Sequence, residues 1–165
     1  MSSNLSAFVM RPTPAGRAWA TSVGAIVVEL PFGLALIPFS NEVSKTIGGG
    51  PDLYGQFRYL STTLAEHGRR LSAEAPIAFV GQESFGSLGW HEAIGWRGGD
   101  VAFGPRFTSD GYEDDWFEIV DDPRDHAINQ VLRWFGVDRG DSWDEFEAVG
   151  FDKCRDTNDW YARSL

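Results

Sequence analysis

Cysteine is almost missing from this sequence, since Cys154 is the only one in 165 residues. A lone cysteine cannot form an intramolecular disulfide, so the fold does not depend on an oxidising compartment. The first residues also lack the basic stretch and the apolar run that a secretory signal needs. Together these absences predict a cytoplasmic protein.

Long apolar runs are missing as well. The most apolar stretch, residues 24–39, is shorter than the roughly 20 residues that a helix needs to cross a bilayer. It also contains Glu29, Pro31 and Pro38, and proline disfavours a continuous helix. We interpret this stretch as buried strands rather than a membrane span.

Motifs for metals and cofactors are absent. The three histidines, His67, His91 and His126, lie far apart, and neither His-x-x-x-His nor Cys-x-x-Cys occurs. The acidic stretches do not place carboxylates at the alternating positions of a calcium loop. Three glycines at residues 48–50 match no phosphate-binding motif and lack a following lysine. We therefore expect neither a metal nor a cofactor.

Basic residues are scarce, with 14 Lys and Arg against 24 Asp and Glu, and the formal net charge is −10. The imbalance is confined to one part of the chain. Residues 1–109 hold eight acids and eight basic residues, whereas residues 110–165 hold sixteen acids and six basic residues. Because no repeat or linker separates the two parts, we predict a single domain over residues 1–165 with an acidic C-terminal third.

Hydrophobic patterning predicts an α+β fold in which a mostly antiparallel sheet packs with about three helices. Strands are predicted at residues 6–10, 25–30 and 34–37, and in a meander over residues 76–105. Helices are predicted over residues 53–71, over residues 125–136, and after a capping-box pattern at residues 142–145.

Two turns set the register of the meander. Gly98 and Gly99 supply the positive φ that a two-residue hairpin turn needs, and this pairs Arg97 with Asp100. The same register pairs two more couples of residues, Trp96 with Val101 and Ile94 with Phe103. A four-residue loop at residues 86–89 sets two further couples opposite each other, Phe85 with Trp90 and Glu83 with Glu92.

Both registers give the meander one bulky face and one face of small residues. The bulky face carries Ile77, Phe79, Phe85, Trp90, Ile94, Trp96, Val101 and Phe103. The small face carries Ala78, Val80, Ala93, Gly95 and Ala102. We expect the bulky side to pack on the core and a helix or another layer to approach the small side closely.

One arrangement would suit an enzyme. Glu83 and Glu92, placed opposite each other with His91 adjacent, would repel, and such pairs raise one carboxyl pKa for acid/base chemistry. The alternative is that the two carboxylates lie near a hairpin end, where water screens them. A small enzyme using these three residues therefore remains one hypothesis.

The acidic stretch from Asp110 to Asp125 favours a binding role. It combines eight acids with three aromatic residues and a single arginine. Charge runs are usually solvated surface, but large rings inside such a run are typical anchors of interfaces. The predicted partner-binding residues are Asp110, Tyr112, Glu113, Asp114, Asp115, Trp116, Phe117, Glu118, Asp121 and Asp122.

An acidic surface repels nucleic acid and anionic membranes, and it attracts a basic protein. The acidic composition, the glycine-rich aromatic meander and the Trp-rich acidic end resemble immunity proteins of bacterial toxin systems. This resemblance implies a non-enzymatic inhibitor whose carboxylates stand in for substrate phosphates in the basic cleft of a toxin. A third hypothesis is a DNA mimic or adaptor that acts through the same acidic face.

Overall fold

The computed structural model describes residues 2–85, 88–111 and 114–163. Within them the protein is an α+β fold, as the sequence predicts. The strands are β1 (Ser2–Met10), β2 (Val28–Leu30), β3 (Leu34–Pro38), β4 (Ile77–Phe85), β5 (Leu88–Arg97), β6 (Asp100–Ser109) and β7 (Glu118–Ile119). The helices are α1 (Pro14–Ser22), α2 (Asn41–Ile47), α3 (Thr62–Leu71), α4 (Ala127–Trp134), α5 (Glu145–Ala148) and α6 (Asp159–Arg163). None of these helices is long and apolar enough to cross a bilayer.

The seven strands form one sheet in the order β2-β3-β1-β4-β5-β6-β7. β1 lies inside the sheet and pairs antiparallel with both β3 and β4. The meander of β4, β5 and β6 follows, and β7 adds a short parallel strand to β6. β7 belongs to the acidic stretch, so this part of the chain forms one edge of the sheet while β2 forms the other.

Helices cover both faces of the sheet. On one face Phe8, Phe79 and Trp96 pack with residues of α1, α2 and α3. On the other face Val9 and Val80 pack with α4 and with the C-terminal segment. Two hydrophobic layers therefore bury the sheet from both sides.

The small face of the meander lets α4 approach closely, as the sequence predicts. Ala78 and Ala93 are fully buried there. At Gly95 an added Cβ would lie 2.8 Å from the Trp134 ring of α4, closer than real Cβ contacts come. Small residues on this face therefore make the room that the helix occupies.

The turn between β5 and β6 is confirmed, since Arg97 pairs with Asp100 and Trp96 with Val101. The predicted pairing of Ile94 with Phe103 is wrong. A bulge shifts the register, so that Phe103 lies opposite Gly95 and packs on the α4 side, with its ring 6.0 Å from that of Trp134. An extra residue in one strand turns the following side chains to the other face.

The register of the β4–β5 hairpin differs from the prediction by two residues. Trp90 lies opposite Glu83 rather than Phe85. Glu92 lies opposite Gly81 rather than Glu83. The predicted pairing of the two glutamates is therefore wrong.

A physical reason for this register lies at Gly81. The glycine leaves room for the glutamate, because a Cβ there would lie 2.8 Å from Glu92 Cγ. The shift also avoids placing two carboxylates directly opposite each other. Since it is a shift of two, each side chain keeps its predicted face. Residues 86–87 of the predicted loop lie outside the described residues.

The helix predicted over residues 53–71 begins only at Thr62. Ser61 caps it, with its hydroxyl accepting a hydrogen bond from Leu64 N–H at 3.0 Å. The preceding residues form a loop in which Leu53 bridges to Ser61. The apolar residues of this loop recur at helical spacing although the backbone is not helical.

The ends of the chain contain more helix than predicted. The residues after β1, for which the patterning predicts no helix, form α1, which Thr13 caps. The predicted helix at residues 125–136 is confirmed as α4. The last predicted helix begins two residues later than expected, because Asp144 rather than Ser142 accepts the capping hydrogen bond.

Candidate functional site

The acidic segment, residues 110–125, is held on the sheet by one aromatic residue. Phe117 is 6% exposed, and its ring centroid lies 6.1 Å from that of Trp90 and 5.8 Å from that of Phe107. β7 follows at once, and Val120 N–H then donates to Ser109 C=O at 3.0 Å. The middle of the segment is therefore packed against the domain rather than extended into water.

Arg58 adds a charged contact to this anchor. Its guanidinium lies 4.8 Å from the centroid of the Trp90 ring and 4.7 Å from that of Phe117. The same group pairs with Asp114, Nη2 to Oδ2, at 3.2 Å. A cation held between two rings favours a defined position for the segment.

Some of the predicted partner-binding residues are exposed, and others already form contacts within the protein. Trp116 is 40% exposed, and Asp115, Glu118 and Asp121 near it are exposed as well. Ile119, which the prediction does not include, is 66% exposed. Asp122 is paired with Arg124, which lowers the pKa of its carboxyl to about 2.

Phe117, also a predicted partner-binding residue, is buried in the free protein, with 6% of it exposed. Its ring supports the segment from beneath. Tyr112 and Glu113 lie outside the described residues. The aromatic residues of the segment therefore include one anchor, Phe117, and one exposed indole, Trp116.

Two histidines that are distant in the sequence stack on each other at the base of the acidic segment. The rings of His91 on β5 and His126 before α4 lie 4.0 Å apart at an angle of 9°. Burial lowers the pKa of His91 well below its usual value, and the neighbouring His126 adds to this effect. His91 is therefore neutral near pH 7, and its buried Nδ1 has no hydrogen-bond partner among the described residues.

The hydrogen bonds of His126 determine its tautomer. Its Nε2 lies 3.0 Å from Asp110 Oδ1, and its Nδ1 lies 2.9 Å from Thr108 Oγ1. A carboxylate only accepts, so Nε2 carries a proton and donates to Asp110, and in the neutral form of the ring Nδ1 accepts from the Thr108 hydroxyl. That hydroxyl in turn accepts from Ala127 N–H at 2.9 Å. Asp110 is thus held in place from inside the domain.

Thr108, His126 and Asp110 have the residue types of a catalytic nucleophile, base and acid. However, Thr108 lacks the access to a substrate that a nucleophile needs. Thr108 is fully buried, and its oxygen already serves the start of α4. A nucleophile has to reach the atom that it attacks. The arrangement therefore positions Asp110 and closes the junction between β6 and α4.

An open cleft of about 310 Å³ lies beside the stacked rings. Ser3, Gln82 and Ser84 of β1 and β4 contribute to one wall, and His91, Asp110, His126, Asn129 and Asp144 contribute to the rest. Trp143, which is 53% exposed, also lines it. We call this cavity the histidine cleft. It lies between both ends of the acidic segment, since Asp110 and Pro123 border it.

The predicted catalytic group of Glu83, Glu92 and His91 is not brought together. His91 stacks on His126, whereas Glu92 faces the opposite side of the sheet, where Arg58 and Tyr59 lie. Neighbouring residues of a strand point to opposite faces, which alone separates these two. Tyr59 bridges the glutamates, with its N–H on Glu92 and its hydroxyl on Glu83.

Glu92 itself is fully buried. Its carboxylate accepts from the N–H groups of Arg58 at 2.9 Å and Tyr59 at 3.1 Å. Burial raises the pKa of Glu92 to about 7, although these hydrogen bonds act in the opposite direction. The residue holds the loop before α3 on the sheet rather than facing a cleft.

Sequence reasoning missed His126 and Thr108. The sequence did contain part of the information needed to pair His91 with His126. The meander register puts His91 on the small face, and a helix was expected to cover that face. The predicted helix from Asp125 was the available candidate, and His126 stands next to its start. Among the described residues, no group of three or more His, Cys, Asp or Glu side chains could hold a metal ion.

Comparisons with known proteins add no relative from which a role could be transferred. No protein-family model, no curated protein and no solved structure matches this chain. The functional argument therefore depends on the acidic segment and the histidine cleft themselves.

Proposed function

We propose that this protein binds a basic protein partner through the acidic segment and thereby neutralises or regulates it, in the manner of immunity proteins of bacterial toxin systems. One observation carries the proposal. Trp116 and Ile119 are exposed among carboxylates on a segment that Phe117 fixes to the sheet. Exposed rings and aliphatic side chains within a charged surface are typical of interface centres.

The anchoring of the segment supports this proposal energetically. Binding by a flexible loop has to offset the entropy of ordering it, roughly 0.5–1.5 kcal/mol for each immobilised side chain. Here Phe117 and the Arg58–Asp114 pair already restrict the backbone. The carboxylates around Trp116 then provide long-range attraction that speeds encounter with a cationic surface.

The test begins with retrieval of the partner from the cells that make the protein. Association of the purified pair is then measured at rising salt. We expect a basic partner and an association rate that falls at least about tenfold between 50 and 500 mM NaCl, because salt screens the attraction. Recovery of no basic protein, or a rate that ignores salt, contradicts the proposal.

Two variants with the same change of net charge locate the interface. The first neutralises three acids of the segment: Asp115→Asn, Glu118→Gln and Asp121→Asn. The second neutralises three exposed acids elsewhere: Glu29→Gln, Glu42→Gln and Glu74→Gln. Glu29 lies on β2, at the opposite edge of the sheet from β7. We expect the first variant to slow association at least about fivefold more than the second, and equal effects would exclude the segment as the interface.

The same experiment separates the proposal from DNA mimicry. A mimic presents acids at phosphate-like intervals and binds where the partner would bind nucleic acid. If duplex DNA competes with this protein for the partner and Trp116→Ala leaves the affinity unchanged, mimicry is favoured. We expect Trp116→Ala to weaken binding at least about tenfold, as truncation of a central aromatic anchor does.

A further inference from the structure

The histidine cleft has a negative wall. Asp110 and Asp144 line it, and no Lys or Arg is found among the described residues that do so. Arg124 lies over the Trp143 ring at 5.7 Å, but its guanidinium is paired with Asp122, Nη2 to Oδ2, at 2.8 Å. A cleft of this composition favours a positively charged group.

One carboxylate oxygen of Asp110 is available to accept a hydrogen bond from such a group. Its Oδ1 accepts from His126, whereas Oδ2 accepts no hydrogen bond from the described residues. The side chain is 22% exposed, so it can be reached from the cleft while remaining largely shielded from water. A charge-assisted hydrogen bond at a partly shielded site is stronger than one in open solvent.

The flat groups of the cleft indicate the shape of the occupant. The stacked imidazoles of His91 and His126 and the indole of Trp143 all contribute to its lining. A planar guanidinium stacks on such rings and presents several N–H donors in one plane. An ammonium is a compact charge that stays more strongly hydrated, and it gains less from flat rings.

We propose that the histidine cleft is an anchor pocket for an arginine side chain of the basic partner, with the guanidinium donating to Asp110. This inference rests on the proposed function and adds its central contact. The size fits, because about 310 Å³ is at the small end of ligand pockets and suits one side chain rather than a large ligand. Asp110 and Pro123, near the two ends of the acidic segment, border the cleft, so the cleft adjoins the proposed interface.

The test uses short peptides on the full-length protein without any partner. The probes are acetyl-Gly-Arg-Gly-amide, its lysine counterpart, and its citrulline counterpart, which keeps the shape of arginine without the charge. Ring resonances of His91 and His126 are followed by NMR during titration. We expect saturable shifts of both rings with the arginine peptide at millimolar concentration, the range for one side chain, and at least about fivefold weaker binding of the other two.

Two variants locate the binding. Asp110→Asn keeps an acceptor for His126 but removes the charge, and it should weaken the arginine peptide about tenfold. Ser84→Leu places a larger side chain in the wall of the cleft and should abolish the shifts. Asp121→Asn is the matched control, since it removes one exposed charge of the segment outside the cleft and should leave binding unchanged. Unchanged amide spectra elsewhere establish that each variant is folded.

Absence of saturable shifts overturns the inference, and so does equal binding of the citrulline or lysine peptide, or full binding by Asp110→Asn. These failures are distinguishable from failure of the proposed function. If a basic partner associates in a salt-dependent manner but the cleft binds no arginine peptide, only the anchor pocket is contradicted. If the cleft binds the arginine peptide but no basic partner is recovered, only the proposed function is contradicted.

Discussion

Glu92 is a carboxylate that the fold keeps away from water. Gly81 leaves space for it, and two backbone N–H groups bind it. Its pKa rises from 4.5 to about 7 because burial disfavours the charged form more than those hydrogen bonds favour it. The folded state therefore holds this proton more tightly than the unfolded chain does.

This pKa shift makes stability depend on pH. The contribution of protonated Glu92 is fully present below about pH 4.5 and is lost as the pH rises through about 7. At about 1.4 kcal/mol per pKa unit, the loss amounts to about 3 kcal/mol. We predict that the Glu92→Gln variant does not lose this stability as the pH rises. The difference between its free energy of unfolding and that of the wild type should therefore increase by about 3 kcal/mol from pH 4.5 to 8.

Urea unfolding at several pH values measures the effect. Glu74→Gln is the control, since it makes the same chemical change at an exposed position and should leave the wild-type pH profile intact. If Glu92→Gln follows the wild type between pH 4.5 and 8, the carboxylate does not titrate as its burial indicates.

At the scale of the element, the acidic segment has two neighbouring aromatic residues with different roles. Phe117 is 6% exposed and packs on Trp90 and Phe107, whereas Trp116 is 40% exposed. Their adjacency in the sequence hides this difference, because only one of two successive rings can face the sheet. The difference is measurable as stability.

We predict that Phe117→Ala lowers the free energy of unfolding by about 2–4 kcal/mol, since it leaves a cavity between the segment and the sheet. Trp116→Ala should lower it by less, by about 1 kcal/mol, because 40% of this residue is already exposed, although its ring contacts that of Phe117. Chemical denaturation of both variants decides the point. Equal losses would mean that Trp116 is also part of the core and is not available to a partner.

At the scale of the whole molecule, charge is distributed unevenly over a well-packed sheet. The net charge is −10, and sixteen of the 24 acids lie in residues 110–165. Like charges that are brought close by folding repel, and this repulsion lowers the stability of the compact state. Salt screens it, since the Debye length falls from about 10 Å at 0.1 M to about 3 Å at 1 M.

We predict that the free energy of unfolding rises by roughly 0.5–1 kcal/mol between 50 and 500 mM NaCl, the size of two or three screened like-charge contacts. The variant that neutralises Asp115, Glu118 and Asp121 should show a smaller rise than the one that neutralises Glu29, Glu42 and Glu74. Denaturation at both salt concentrations measures this. A stability that falls with salt would mean that attractive ion pairs outweigh repulsion.

Several elements could be predicted because their causes are local. The turn at Gly98 and Gly99 follows from the positive φ that glycine allows, and α4 follows from its apolar spacing and the glycine after it. The loop before α3 could not be predicted. Its apolar residues have helical spacing, but the Glu92 carboxylate binds the N–H groups of Arg58 and Tyr59 from another element.

The sequence by itself determined the fold class, the two faces of β4 and β5 and the concentration of acids near the C-terminus, because periodicity, turn residues and charge are properties of neighbours along the chain. Tertiary structure alone decided that Glu92 faces Gly81, that Phe117 is buried beneath an exposed Trp116, and that His91 stacks on His126. Each of these depends on which segments meet in space. Contacts between residues up to 35 positions apart leave no local pattern, since they are selected by the packing of complete elements.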